Sequence, residues 1–92
     1  MTVDVIYRKN PDVVARGLAE GEGGVLLRLD SGAYFSVNPV GLLIWELVDG
    51  QRSVAELIEA VREQVVDPPA RLADDVTAFL ERAVERQLVL TD

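Results

Sequence analysis

Ala33-Tyr34-Phe35-Ser36-Val37-Asn38-Pro39-Val40-Gly41-Leu42-Leu43-Ile44-Trp45-Glu46-Leu47-Val48-Asp49-Gly50 is where this chain switches from a two-residue to a 3.6-residue period. Over residues 33–37, Phe35 and Val37 share one face while Tyr34 and Ser36 share the other, the repeat of a strand. Asn38 then offers a side-chain oxygen to the free amides of a helix start. Pro39 suits the first helical position, where its missing N–H leaves nothing unbonded. Over residues 39–48 the side chains of Val40, Leu42, Leu43, Ile44, Trp45, Leu47 and Val48 leave almost no polar face. Such a helix is expected to be buried on most sides and to form the centre of the core. Asp49-Gly50 ends it, because Gly50 adopts the left-handed conformation without a Cβ penalty.

Upstream of this switch, five of the seven glycines lie at or before residue 32, so the first part of the chain reads as strands and turns. Residues 12–18 form a valine-containing first strand, and Glu20-Gly21-Glu22-Gly23 a loop. Residues 24–29 form a second strand, with Val25, Leu27 and Leu29 on one face and Leu26 and Arg28 on the other. That alternation fits a sheet packed on one face and partly wet on the other. Asp30-Ser31-Gly32 is a hairpin loop leading into the third strand.

Downstream, Ser53-Val54-Ala55-Glu56 is a capping box, and Val54, Leu57, Ile58, Val61 and Val65 make one helical stripe behind it. Asp67-Pro68-Pro69 breaks the chain. A third helix is expected over residues 70–87, with Leu72, Val76, Phe79, Leu80, Ala83 and Val84 as its apolar face. Residues 88–90 end either as a frayed helical turn or as a short strand. Strands followed by helices make an α+β fold. A three-stranded antiparallel sheet followed by three α-helices resembles a winged helix-turn-helix.

Ninety-two residues accommodate one small core, burying about 60–65% of the unfolded surface. There is no cysteine and no histidine, which removes disulfides, thiolate and imidazole metal sites, and the Ser-His-Asp triad. An all-carboxylate site for a hard cation stays open in principle. The adjacent acids Asp74 and Asp75 do not make one, since neighbouring helical residues point about 100° apart. No cofactor is implied, and no nucleophile elbow or phosphate-cradling loop suggests an enzyme. No apolar run approaches the roughly 18 residues of a membrane span, and residues 1–10 lack a signal-peptide layout. The cytoplasm is therefore the expected location.

The net charge of −7 opposes a nucleic-acid backbone. Of the seven charged residues on the third helix, Arg71, Asp74, Asp75, Glu81, Arg82, Glu85 and Arg86, four are acidic, the wrong sign for a DNA-recognition helix. A winged-helix regulator remains the alternative that a gel shift at low salt would test. The third strand, with no charge over residues 33–37, presents an unblunted edge. An extended peptide could add there, a second copy could pair there, or the last helix or the N-terminal arm could cover it.

The ordered run Gly23-Gly24-Val25-Leu26-Leu27, Tyr34 through Gly41, Ile44 through Gly50, the capped helix from Ser53, and Asp74-Asp75-Val76 with Phe79-Leu80 resembles the PqqD-like family across residues 7–90. The resemblance implies a non-catalytic, stand-alone recognition element of winged-helix type. Such a protein binds the leader segment of a ribosomally synthesised precursor peptide. It presents that segment to a modifying enzyme such as a radical S-adenosylmethionine enzyme, a leader peptidase or a cyclase. In the family the leader lies as an extra strand on the third strand, in a groove bounded by the last helix. Carried onto this chain, the peptide-binding residues are Ala33, Tyr34, Phe35, Ser36 and Val37 on the strand, with Leu72, Asp75, Val76, Phe79 and Arg82 on the helix. Leu72, Val76 and Phe79 would wall apolar pockets, or else simply be core. Asp75 and Arg82, seven apart and on one helix side, would meet charged leader residues. Tyr34 faces either the groove or the core. Residues 1–10 form an N-terminal arm, which could be extended, strand or disordered, and residues 11–90 the recognition domain.

Overall fold

Two glycine turns shape the first part of the chain. In the first, Gly21 and Gly23 take φ of +82° and +78°, and the Leu18 amide donates to the Gly23 carbonyl at 2.9 Å. In the second, Gly32 takes φ of +77°, and Arg28 forks onto Asp30 through Nε and Nη2 at 3.1 and 2.6 Å. These turns join β2 (Val13–Gly17), β3 (Gly24–Arg28) and β4 (Tyr34–Val37) into an antiparallel sheet of order β2-β3-β4. The computed structural model describes residues 5–91. Three helices follow, α1 (Pro39–Leu47), α2 (Val54–Gln64) and α3 (Leu72–Glu85). The α+β order read from the sequence is thus the observed one.

Only one of the two β3 faces is packed. Leu26 is fully buried, whereas Leu27 is half-buried and Leu29 exposed. The core joins Leu26 to Ile44 and Trp45 of α1, Leu57 and Val61 of α2, and the buried stripe Leu72, Val76, Leu80 and Ala83 of α3.

Both anticipated caps form. The Asn38 side-chain oxygen accepts from the Gly41 amide at 2.7 Å. The Ser53 amide donates to Glu56 Oε1 at 2.9 Å and the Glu56 amide to Ser53 Oγ at 3.3 Å. Gly50, at φ +80°, ends the α1 connection, and its amide donates to the Tyr7 carbonyl at 2.9 Å.

Helix α1 is less enclosed than its composition suggests. Gly41, Ile44 and Trp45 are buried, but Val40, Leu42, Leu43 and Leu47 are only half-buried. Among the described residues no further element lies over that flank. A cleft of about 220 Å³ opens there, between Leu42, Leu43 and the turn at 18–23.

The last helix ends two residues earlier than expected. Gln87 takes φ of +58°, its amide donates to the Val84 carbonyl at 3.0 Å, and the Leu88 amide donates to the Ala83 carbonyl at 2.8 Å. That paired closure is a Schellman motif with glutamine in the position glycine usually takes. It turns the chain into β5 (Val89–Thr91), which settles residues 88–90 as a strand turn rather than a frayed helix. Strand β1 (Tyr7–Lys9) pairs antiparallel with β5, placing Tyr7 opposite Thr91. Residues 1–4 of the anticipated arm lie outside the described residues.

Asn10 locks this second sheet to the first. It is buried, its Nδ2 donates to the Gln87 carbonyl at 2.7 Å, and its Oδ1 accepts from the Asp12 amide at 2.9 Å. Trp45 reaches the same place, donating from Nε1 to the Leu88 carbonyl at 3.4 Å beneath the Lys9 ammonium, which lies 4.8 Å from its ring. Among the described residues no helix is long and apolar enough to cross a membrane.

Candidate functional site

The free edge of β4 follows from its hydrogen-bond phase. The Arg28 amide donates to the Ala33 carbonyl at 2.8 Å, so that pair is a hydrogen-bonded one. In an antiparallel ladder such pairs alternate with pairs whose backbone groups point away from each other. In the observed register Leu26 faces Phe35 and Gly24 faces Val37 in the bonded phase, and Leu27 faces Tyr34 and Val25 faces Ser36 in the other. The N–H and C=O groups of Tyr34 and Ser36 therefore point outward, and no strand pairs with that edge among the described residues. Neither anticipated cover lies on it as a strand, since β1 pairs with β5.

The side chains sort by the same phase. Tyr34 is 70% exposed on the outer sheet face, away from the core, which resolves its orientation. Phe35 and Val37 are half-buried and turn toward α3, and Ser36 is exposed. Between them and α3 lies a cleft of about 250 Å³, floored by Phe35, Val37 and Leu88 and walled by Phe79, Arg82 and Arg86. A second cleft, about 320 Å³, continues between α1 and α3 and includes Leu72, Asp75, Phe79 and Arg82. Phe79, Arg82, Asn38 and Gly41 border both, so the two clefts form one groove.

Gly41 shapes the junction. A Cβ there would come within 3.0 Å of Phe79 Cε1 and 3.3 Å of Val37 Cβ. The bare backbone lets the Phe79 ring lie close to α1.

On α3 the groove stripe runs Asp75, Phe79, Arg82 and Arg86, spaced four, three and four residues apart on one helix face. Leu72 and Val76 belong to the neighbouring stripe. Val76 is fully buried in the core and borders neither cleft, and Leu72, 1% exposed, only floors the α1–α3 end. Of the two readings of Leu72 and Val76, pocket wall or core, the structure places both side chains in the core. Leu72, Val76, Leu80 and Ala83 must face α1 and α2 to close the core, which leaves Phe79 and Arg82 for the groove. Ala33 precedes β4 in the turn, and its carbonyl is already taken by Arg28.

Sequence reading missed Asn38, Gly41, Arg86 and Leu88 as groove residues. Arg86 carried a signal, being four residues beyond Arg82 on the same face. Its guanidinium lies 5.1 Å from the centre of the Phe35 ring, and its carbonyl accepts from Arg28 Nη1 at 3.5 Å. These contacts tie the end of α3 to the β3–β4 hairpin. At the hairpin, the Arg28 guanidinium holds the Asp30 carboxyl below the usual carboxylate range. Among the described residues no group of three or more acids is placed to hold a metal ion.

Fold and site together define a small winged-helix-like module in which the unpaired edge of β4 overlooks a groove. The family model for PqqD, coenzyme PQQ synthesis protein D, matches residues 23–89, and the chain belongs to that family. Two solved structures share the fold. One is TbiB1 in complex with the TbiA(beta) leader peptide, at a TM-score of 0.70 and 24% identity, over 89% of this chain and 93% of that one. The other is a lasso peptide synthetase B1 complexed with the leader peptide, at a TM-score of 0.70 and 21% identity, over 91% of this chain and 96% of that one. No curated protein matches the chain.

Proposed function

We propose that this protein is a non-catalytic adaptor of the cytoplasm. It takes the leader segment of a ribosomally synthesised precursor as a fourth strand on β4, beside α3, and presents it to a modifying enzyme. The observation that carries this reading is the outward backbone of Tyr34 and Ser36 beside a groove lined by β4 and α3. An extended peptide bonding there gains main-chain hydrogen bonds, while every second side chain enters the groove. Membership of the PqqD family supports it, as do the leader complexes of the two structural neighbours. A DNA-reading role is disfavoured by the solvent face of α3, where Asp74, Glu81 and Glu85 are exposed.

An amide NMR titration with the leader half of a precursor encoded near this gene tests the proposal. Shifts are expected at residues 34–37 and at 79–86. Saturable binding that leaves β4 unmoved and shifts β2 instead would refute the site. A duplex DNA titration on the same sample, run at modest salt, would overturn the adaptor reading if it showed tight binding.

A further inference from the structure

We infer that the groove selects a peptide whose inward side chains include one carboxylate and one apolar group two residues apart, the carboxylate seated between Arg82 and Arg86. This rests on the strand-addition reading above and specifies the chemistry of the peptide it accepts.

The chain has 16 acidic and nine basic residues, so its cations are outnumbered. Arg28 pairs with Asp30, Arg52 with Asp49 and Arg62 with Glu59. Arg82 and Arg86 are exposed, make no ion pair among the described residues, and border the same cleft. That cleft has no carboxylate in its lining. In a protein of net charge −7, two guanidinium groups without an ion pair among the described residues, at the β4 end of the groove whose other end holds Asp75, make a local site for an anion. A forked guanidinium is suited to a carboxylate through charge-assisted bonds.

The spacing follows from the strand. A strand bonded to Tyr34 and Ser36 sends every second side chain inward, about 6.8 Å apart. Along α3, Arg82 and Arg86 are about 6 Å apart in rise, and Phe79 lies about 4.5 Å before Arg82. The arginine end is fixed beside Phe35 by the Arg86–Phe35 stacking at 5.1 Å. The aromatic end is fixed beside Val37 through Gly41, where Phe79 packs. Consecutive inward residues thus meet a cationic end and an aromatic end. Which comes first along the peptide depends on its direction on β4.

The test pans a displayed library of random 12-residue peptides against the full-length chain, keeping hits that shift the Tyr34 and Ser36 amides. Asp or Glu should be enriched at one position, with Leu, Ile, Val or Phe two residues away. Replacing that acid by its amide should weaken binding about tenfold to wild type, and less than twofold to Arg82→Gln/Arg86→Gln. That comparison is a double-mutant cycle isolating the pair. Groove-binding hits without acid enrichment, or an equal loss in both proteins, would overturn this inference and leave strand addition intact. If no hit moves β4 at all, the strand-addition reading fails and this inference with it.

Discussion

Replacing Ser36 by proline separates strand addition from every other mode of binding in this groove. Ser36 lies in the outward phase of β4, opposite Val25 in a pair that does not exchange hydrogen bonds. Its N–H is therefore not used by the folded chain, and proline is tolerated on an edge strand when its missing N–H faces solvent. Ser36 is exposed, so no core contact is lost. Its predecessor Phe35 is already extended, as a residue before proline must be. A peptide added to β4 loses one donor and leaves its own carbonyl unsatisfied against a proline ring. A lost neutral hydrogen bond contributes about 0.5–1.5 kcal/mol, and an unsatisfied, partly covered acceptor costs about 1–3 kcal/mol. Together these give about 1.5–4.5 kcal/mol, a rise in Kd of about 10- to 2000-fold. Fluorescence anisotropy with a labelled leader peptide measures it, with a thermal melt on the same sample to show that the fold survives. Phe35→Pro is the control, since Phe35 lies in the bonded phase opposite Leu26 and its loss should unfold the sheet. A folded Ser36→Pro protein that binds within twofold of wild type would refute the claim that the peptide joins β4 as a strand.

Four further substitutions test the scaffold. Asn10→Ala removes both side-chain bonds that join β1, β2 and the end of α3. It should lower stability by about 1–3 kcal/mol in urea unfolding, and a change under about 0.5 would mean that this junction is not a lock. Gly23→Ala places a Cβ 2.1 Å from the Val37 carbonyl oxygen at φ +78°, so it should destabilise the protein and disturb the β4 end of the groove. Gly21→Ala has the same kind of φ with nothing within 4 Å, so it should cost only about 1–2 kcal/mol, and equal melting temperatures for the two variants would contradict the close approach. The Asp49 carboxyl is held below its usual range, chiefly by the Gln51 amide and then by the Arg52 amide and the Arg52 charge. Because the folded-state pKa is the lower one, the stabilisation is complete above the ordinary carboxylate range and fades as pH falls through the folded value. The stability gap between wild type and Asp49→Ala should shrink in acid, and a gap that widened there would reverse the sign of the argument.

The local signals in this sequence are strong wherever a few residues suffice to satisfy a backbone. Asn38-Pro39 and Ser53 with Glu56 each resolve the free groups at a helix start without help from distant residues, and both behave as read, whereas Gly50 takes its left-handed φ three residues beyond α1, with its amide on the distant Tyr7 carbonyl. Glycine-rich turns and a two-residue period likewise placed β2, β3 and β4. The end of α3 was not legible in the same way. Glutamine at position 87 carries no stop signal. The helix ends there because Leu88 is buried and Asn10 holds the Gln87 carbonyl, and both depend on a segment 77 residues away.

The same division runs through the site. Alternation along residues 33–37 was enough to separate Phe35 and Val37 from Tyr34 and Ser36, and an uncharged strand announced an edge. Which backbone groups point outward was set by the phase of the hairpin, through the Arg28–Ala33 bond. Which stripe of α3 faces that edge was set by the core. Helical spacing places Leu72, Val76 and Phe79 on neighbouring faces, and only the need to bury Leu72, Val76, Leu80 and Ala83 against α1 and α2 rolls the helix so that Phe79, Arg82 and Arg86 reach β4. By itself, then, the sequence determined the elements, their caps and the open strand, because those depend on neighbours within a few residues. The tertiary structure decided the β1–β5 pairing, the end of α3 and the membership of the groove, because each depends on how a helix turns when its largest apolar stripe is removed from water.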